Sequence, residues 1–169
     1  TMVKLRALWF CVSLLGTSVT PVLATGFAAD EFSLKATFLY RFGQYTQWPP
    51  PPRSPMRFCI VQYPQLLQAL QALPIPVDAK AIDDEPALAQ CDVLMIGLSE
   101  RRALQQWQRL LAGRQLLIVT DNAEAYRQLG MIQLLTSPDG ISFQVNLQRT
   151  QSHQLQLGSQ LLKLAQQVD

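Results

Sequence analysis

Charge is scarce in this chain. Only 15% of its 169 residues are Asp, Glu, Lys or Arg, where soluble domains usually carry about a quarter. The polar surface falls instead to 21 glutamines. With 14 basic against 12 acidic residues, the sequence offers no electrostatic footprint for nucleic acid. Histidine occurs once, as His153, and cysteine three times, which excludes His-rich or Cys-rich metal frameworks. No apolar run reaches the roughly 20 residues of a membrane-spanning helix. The phosphate-cradling patterns G-x-G-x-x-G and G-x-x-x-x-G-K-[ST] are missing. The G-x-S-x-G elbow is missing too, since Gly97-Leu98-Ser99 stops short of it. These gaps argue against an enzyme. What the chain does have is a 49% hydrophobic content, enough for a packed core, and a length that fits one domain.

The first residues read as an export signal. Lys4 and Arg6 form a basic head, an apolar run follows from Ala7 to Val19, and Val22-Leu23-Ala24 ends in a small residue. This is a secretory signal peptide over 1–24, cut after Ala24 or as late as Ala28. Loss of Lys4 and Arg6 leaves 12 basic and 12 acidic residues, a neutral product expected in an exported compartment. Of the three cysteines, Cys59 and Cys91 remain. An even count in an exported protein favours a disulfide; two buried thiols on neighbouring strands are the alternative.

Residues 30–47 are expected to be helical. Leu34, Phe38, Phe42 and Tyr45 form an apolar stripe, and Trp48-Pro49-Pro50-Pro51-Pro52 stops the helix. Arg57 to Gln62 reads as a buried strand, Pro64 to Leu73 as a helix, Val77 to Ile82 as a strand near an edge, and Asp83 to Gln90 as a short helix. Asp92 to Leu98 is a near-continuous apolar strand, which implies cover on both faces. A helix to about Leu111, a strand at 115–120 and a short helix from Asp121 to Leu129 follow. Ser137-Pro138-Asp139-Gly140 then turns a hairpin. A single helix from about Arg149 to Val168 is expected to close the chain. The alternation predicts an α/β fold: a three-layer Rossmann-like domain over 30–169, with a mainly parallel central sheet, a C-terminal β-hairpin and flanking helices.

Three places could carry function. Ser99-Glu100 and Thr120-Asp121 each follow a buried strand at its C-terminal end, the rim where open α/β sheets bind ligands. They could line a small polar site for a sensed or carried molecule, or simply cap helices. Asp83-Asp84-Glu85 is read as charge complementing a helix start. The first helix concentrates aromatics: Phe38, Tyr40, Phe42, Tyr45 and Trp48. On this reading Tyr40 lies on the outer side with Gln44 and Gln47, and Trp48 and Pro49 stand at the exposed end. Such residues are enriched at protein interfaces. No catalytic residue, metal ligand or cofactor is assigned.

The pattern Lys35-Ala36-x-Phe38-Leu39-Tyr40-x-Phe42-x-x-Tyr45-x-x-Trp48-Pro49 resembles the opening helix of YfiR-like periplasmic proteins. Phe58-Cys59-Ile60-Val61, Cys91-Asp92-Val93-Leu94, Ile118-Val119-Thr120-Asp121 and Phe143-x-Val145-Asn146-Leu147 agree in order. The resemblance implies a non-enzymatic periplasmic regulator that binds and represses an inner-membrane diguanylate cyclase, and so controls cyclic di-GMP signalling and biofilm formation. It implies release by an OmpA/Pal-type outer-membrane lipoprotein, a homodimer as one assembly state, and a family disulfide at Cys59 and Cys91. The partner-binding residues would then be Tyr40, Gln44, Tyr45, Gln47, Trp48 and Pro49.

Overall fold

The computed structural model describes residues 25–169, with side chains from Asp30 onward. The expected signal peptide at 1–24 lies outside the described residues. The chain begins with helix α1 (Thr25–Tyr45), passes through a two-residue strand β1 (Thr46–Gln47), and enters the sheet at β2 (Arg57–Val61). Helix α2 (Pro64–Gln71) leads to β3 (Asp78–Ala81), and a 3-10 turn (Pro86–Gln90) leads to β4 (Val93–Ile96). Then come α3 (Arg101–Leu111), β5 (Leu117–Thr120), α4 (Ala123–Gln128), β6 (Ile132–Ser137) and β7 (Gly140–Val145). The chain closes with α5 (Leu147–Ser152), β8 (Gln156–Leu157), α6 (Ser159–Leu164) and β9 (Gln167–Val168).

The main sheet runs β3-β2-β4-β5-β6-β7-β9. Its first five strands are parallel, β7 folds back antiparallel on β6, and β9 joins β7 in parallel. This is the expected three-layer α/β fold. Strands β4 and β5 are buried along their whole length, as their unbroken apolar runs require when helices cover both faces. The early strand order corresponds to 2-1-3-4-5, so the connections diverge between β2 and β4. Their C-terminal ends form the topological switch point. There Gly97 donates its N–H to the Val61 carbonyl at 2.9 Å. A Cβ on Gly97 would stand 2.6 Å from the Gln62 carbonyl oxygen, so only glycine lets the two strand ends close on each other.

Local signals place the helices, with shifts of a residue or two. Glu100, not Ser99, caps α3: its carboxylate accepts from the Arg102 and Ala103 N–H groups. Asn122, not Asp121, caps α4 through the Ala125 N–H. Gly113 follows α3 at φ 72°, a left-handed conformation suited to glycine. The stretch after Asp84 is a 3-10 turn rather than an α-helix, and β3 is the edge strand the sequence suggested.

Two expectations are corrected. The first helix ends at Tyr45, not at residue 47; Thr46 and Gln47 leave it to pair antiparallel with Leu157 and Gln156. Its buried face is also rotated. Ala36, Leu39 and Phe42 are fully buried, whereas Leu34 and Tyr45 are exposed and Phe38 is half-buried. The second correction is the C-terminal helix. Residues 149–168 break into α5, β8, α6 and β9, because Gln154 turns the chain at φ 60° and Gly158 reopens it. Leu155 and Leu161 reach the core from separate elements, while Leu164 and Val168 remain exposed.

The disulfide between Cys59 and Cys91 is present, with Cα atoms 5.7 Å apart. Both cysteines are buried. It joins the middle of β2 to the residue that leads into β4.

Candidate functional site

Two regions gather the residues singled out in the sequence. The first is the C-terminal end of α1 and the proline connector. Phe42 crosses onto β7, its ring 4.9 Å from that of Phe143. Gly43 lies against the sheet so closely that a Cβ would meet Phe58 and Val93 at 3.2 Å. This close approach fixes which side of α1 faces out. Gln44, Tyr45 and Gln47 are exposed, and Trp48 and Pro49 are half-buried. Tyr40 does not stand free on the outer face. Its ring stacks on Phe58 with centroids 6.1 Å apart, and its hydroxyl accepts from Gln44 at 2.8 Å. Trp48 is also pinned: its indole N–H donates to the Gly43 carbonyl at 3.0 Å, and the Arg53 guanidinium lies 5.7 Å above its ring. The exposed strip is therefore Gln44, Tyr45 and Gln47, with the open face of Trp48 at its end. Gly158 secures it from behind by donating to the Tyr45 carbonyl at 2.8 Å.

The second region is the sheet rim. Its four candidates do not form one open site. Glu100 spends its carboxylate on its own helix, and those two backbone hydrogen bonds hold its pKa below the ordinary value. Thr120 is buried and donates to the Ile96 carbonyl at 2.9 Å. Ser99 is exposed. Asp121 alone faces a wider network. It accepts from Lys35 of α1 at 2.8 Å and from the Tyr63 hydroxyl at 2.6 Å, and Lys35 also pairs with Glu31 at 2.6 Å. Among the described residues, no hydrogen bond joins Ser99–Glu100 to Thr120–Asp121.

Lys35 is the group that sequence reasoning missed. Its side chain is 5% exposed, an unusual place for a lysine unless it is paired. Burial pulls its pKa down, but the contacts with Asp121, Glu31 and Tyr63 outweigh burial and hold the pKa above its ordinary value. Tyr63 is pushed up to about 12 by burial and by its hydrogen bond to Asp121. The lysine thus crosses from α1 to the end of β5, and the phenol beyond the end of β2 completes the bridge. The place where many α/β proteins hold a ligand is here spanned by the protein's own side chains.

A family model described as YfiR/HmsC-like matches residues 32–166. The chain belongs to the YfiR/HmsC-like family. The matched segment covers nearly the whole described domain, from within α1 to the residue before β9. A comparison with curated proteins finds no match.

Within the matched segment the geometry adds which residues are accessible. Lys35 and Ala36 belong to the same run that carries the aromatics, yet they face inward. The signal for this was present in the sequence: the small residues Ala36 and Gly43, seven apart, mark a helix face that can approach a sheet closely. The single histidine, His153, is half-buried and donates from Nδ1 to the Arg114 carbonyl at 2.7 Å.

Proposed function

We propose that this protein is a periplasmic, non-enzymatic regulator that binds the periplasmic part of an inner-membrane diguanylate cyclase and represses it, thereby lowering cyclic di-GMP. Membership of the YfiR/HmsC-like family over 32–166 is the observation that carries the reading. A partner shifts an enzyme between states only by binding one of them better, and the contact surface assigned to that task is Gln44, Tyr45, Gln47 and the open face of Trp48 with Pro49. An exposed tyrosine and the open face of a half-buried tryptophan beside glutamine supply contact area with adaptable hydrogen bonds. Tyr40 contributes by holding Gln44 in place rather than by touching the partner. The rim residues Thr120 and Asp121 serve as internal braces in this reading, and Ser99 and Glu100 as the start of α3. Sequestration by an OmpA/Pal-type lipoprotein and self-association would compete for the same strip.

The test is a binding measurement between the purified protein and the periplasmic domain of a diguanylate cyclase encoded beside it. The wild type should bind. Replacing Tyr45 and Gln47 by alanine should weaken binding by about tenfold or more with an unchanged far-ultraviolet spectrum. Deletion of the gene should raise cellular cyclic di-GMP. Absence of binding by the folded wild type, together with an unchanged cyclic di-GMP level, overturns the proposal.

A further inference from the structure

The proline connector carries a cation with an unmet hydrogen-bond donor. Asp92, 1% exposed, lies at the N-terminal end of β4 and is held on both carboxylate oxygens by Arg57. The Arg57 Nε and backbone N–H donate to one carboxylate oxygen at 3.0 and 2.9 Å, and Nη2 donates to the other at 3.0 Å. Arg53 approaches the same carboxylate as a second guanidinium, with Nη1 3.5 Å from Oδ1. Its Nε is buried and has no hydrogen-bond partner. Asp78 sits opposite Arg57 in the strand register but is exposed. Among the described residues it forms no ion pair with either arginine. Two cations therefore share one buried carboxylate, and the first makes all three of its close hydrogen bonds.

A cleft of about 290 Å³ opens at this point, lined by Pro51, Pro52, Arg53, Ser54, Arg57 and Asp92. The prolines contribute rigid walls with no N–H of their own. The Ser54 hydroxyl adds a polar group. Guanidinium presents a planar fork that matches carboxylate and phosphate oxygens, and charge-assisted hydrogen bonds of this kind are the strong ones. The Arg53 side chain keeps 24% exposure, and an oxyanion at the accessible part of its fork supplies acceptors together with the opposite charge.

We propose that the Arg53–Ser54–Arg57 cleft binds a small oxyanion, the carboxylate or phosphate group of a soluble molecule, with Arg53 as its principal ligand. The site lies at the opposite end of the parallel strands from the rim and does not depend on the regulator reading. Because Arg53 also stacks on Trp48, an anion held there would order the connector at the edge of the exposed strip.

The test follows the Arg53 Nε–Hε resonance by NMR while inorganic phosphate and succinate are titrated in separate arms, with sodium chloride at matched ionic strength as the control. A saturable shift with a millimolar midpoint in either arm, absent with chloride, is the expected result. Phosphate alone, succinate alone or both saturating assigns the chemistry of the ligand and supports the site. Arg53→Gln should weaken binding about tenfold or more, and Arg53→Lys, which keeps the charge but loses the fork, several-fold. Shifts no larger than those with chloride in both arms overturn the proposal. So does undiminished binding, read from neighbouring backbone amides, in whichever of the two variants is folded.

Discussion

At Asp92 two opposing effects act on one carboxyl. Burial pushes its pKa up, while the side-chain and backbone hydrogen bonds from Arg57 pull it down and prevail, so it stays below the ordinary aspartate value. A carboxyl whose pKa is lower folded than unfolded stabilises the fold above its unfolded pKa, near 3.9 for a free aspartate. That stabilisation is lost as pH falls through the lower folded value. Asp92→Asn should therefore reduce stability at pH 7 and flatten the loss of stability below about pH 4. Urea unfolding between pH 7 and pH 2 measures both. A variant with an acid limb as steep as the wild type would show that Asp92 is not the group that responds. Tyr63 offers a second reading at the opposite extreme. The chain has four tyrosines, and burial holds two of them, Tyr63 and Tyr126, up to about 12. Ultraviolet titration should show two late-ionising phenols in the wild type and one in Tyr63→Phe. Because the Tyr63 pKa is raised in the fold, its contribution is present below about pH 10 and is lost as pH climbs through about 12.

Elements respond to closer constraints than periodicity alone. Helix α1 shows why part of the fold was legible and part was not. Its existence followed from spacing and from the proline stop, but two stripes satisfied the same 3.6-residue period. Leu34, Phe38, Phe42 and Tyr45 looked more apolar than the true face, which includes Lys35. An ion pair between distant elements, Lys35 with Asp121, is invisible to a local pattern, and it lies on the same face that Ala36 and Gly43 bring against the sheet. The C-terminal segment erred for a related reason. Leucines at 155, 161 and 162 fit one helix, whereas the backbone satisfies its hydrogen bonds by pairing β8 with β1 and β9 with β7. Gly158 was the available sign of that break. The sheet, by contrast, was readable because runs such as Val93 to Ile96 have no stable place except between two layers. At the junction of β2 and β4 the same reasoning gives a prediction. Gly97→Ala would drive a methyl into the Gln62 carbonyl, which is backbone and cannot swing away. We expect a loss of about 2 kcal/mol or more in unfolding free energy, read from the urea midpoint at an unchanged slope. A loss below about 0.5 kcal/mol, the range of ordinary surface substitutions, would mean that the strand ends separate without cost.

Across the whole molecule, covalent and ionic ties converge on the β2–β4 pair. Cys59 belongs to β2 and Cys91 precedes β4, and the neighbouring residues Arg57 and Asp92 form the buried clamp. The disulfide closes a segment with a sequence separation of 32, which contains α2, β3 and the 3-10 turn. In the chain-entropy account, breaking such a link destabilises the folded state by freeing the unfolded chain, by about 3–4 kcal/mol for a loop of this length. The folded protein keeps other restraints on the same strands. Phe58 to Val61 remain paired with Val93 to Ile96, and Asp92 still holds Arg57. Reduction should thus lower stability without dissolving the architecture. Replacing both cysteines by alanine should give a protein with the wild-type far-ultraviolet spectrum and a lower unfolding midpoint in urea, the difference corresponding to about 2–4 kcal/mol. Adding reductant should lower the wild type to the same midpoint and leave the double variant unmoved. If reductant shifts both proteins equally, the effect comes from elsewhere in the chain and the link does not carry this stability. If the variant keeps its full midpoint, the ladder and the Arg57–Asp92 clamp hold β2 to β4 on their own.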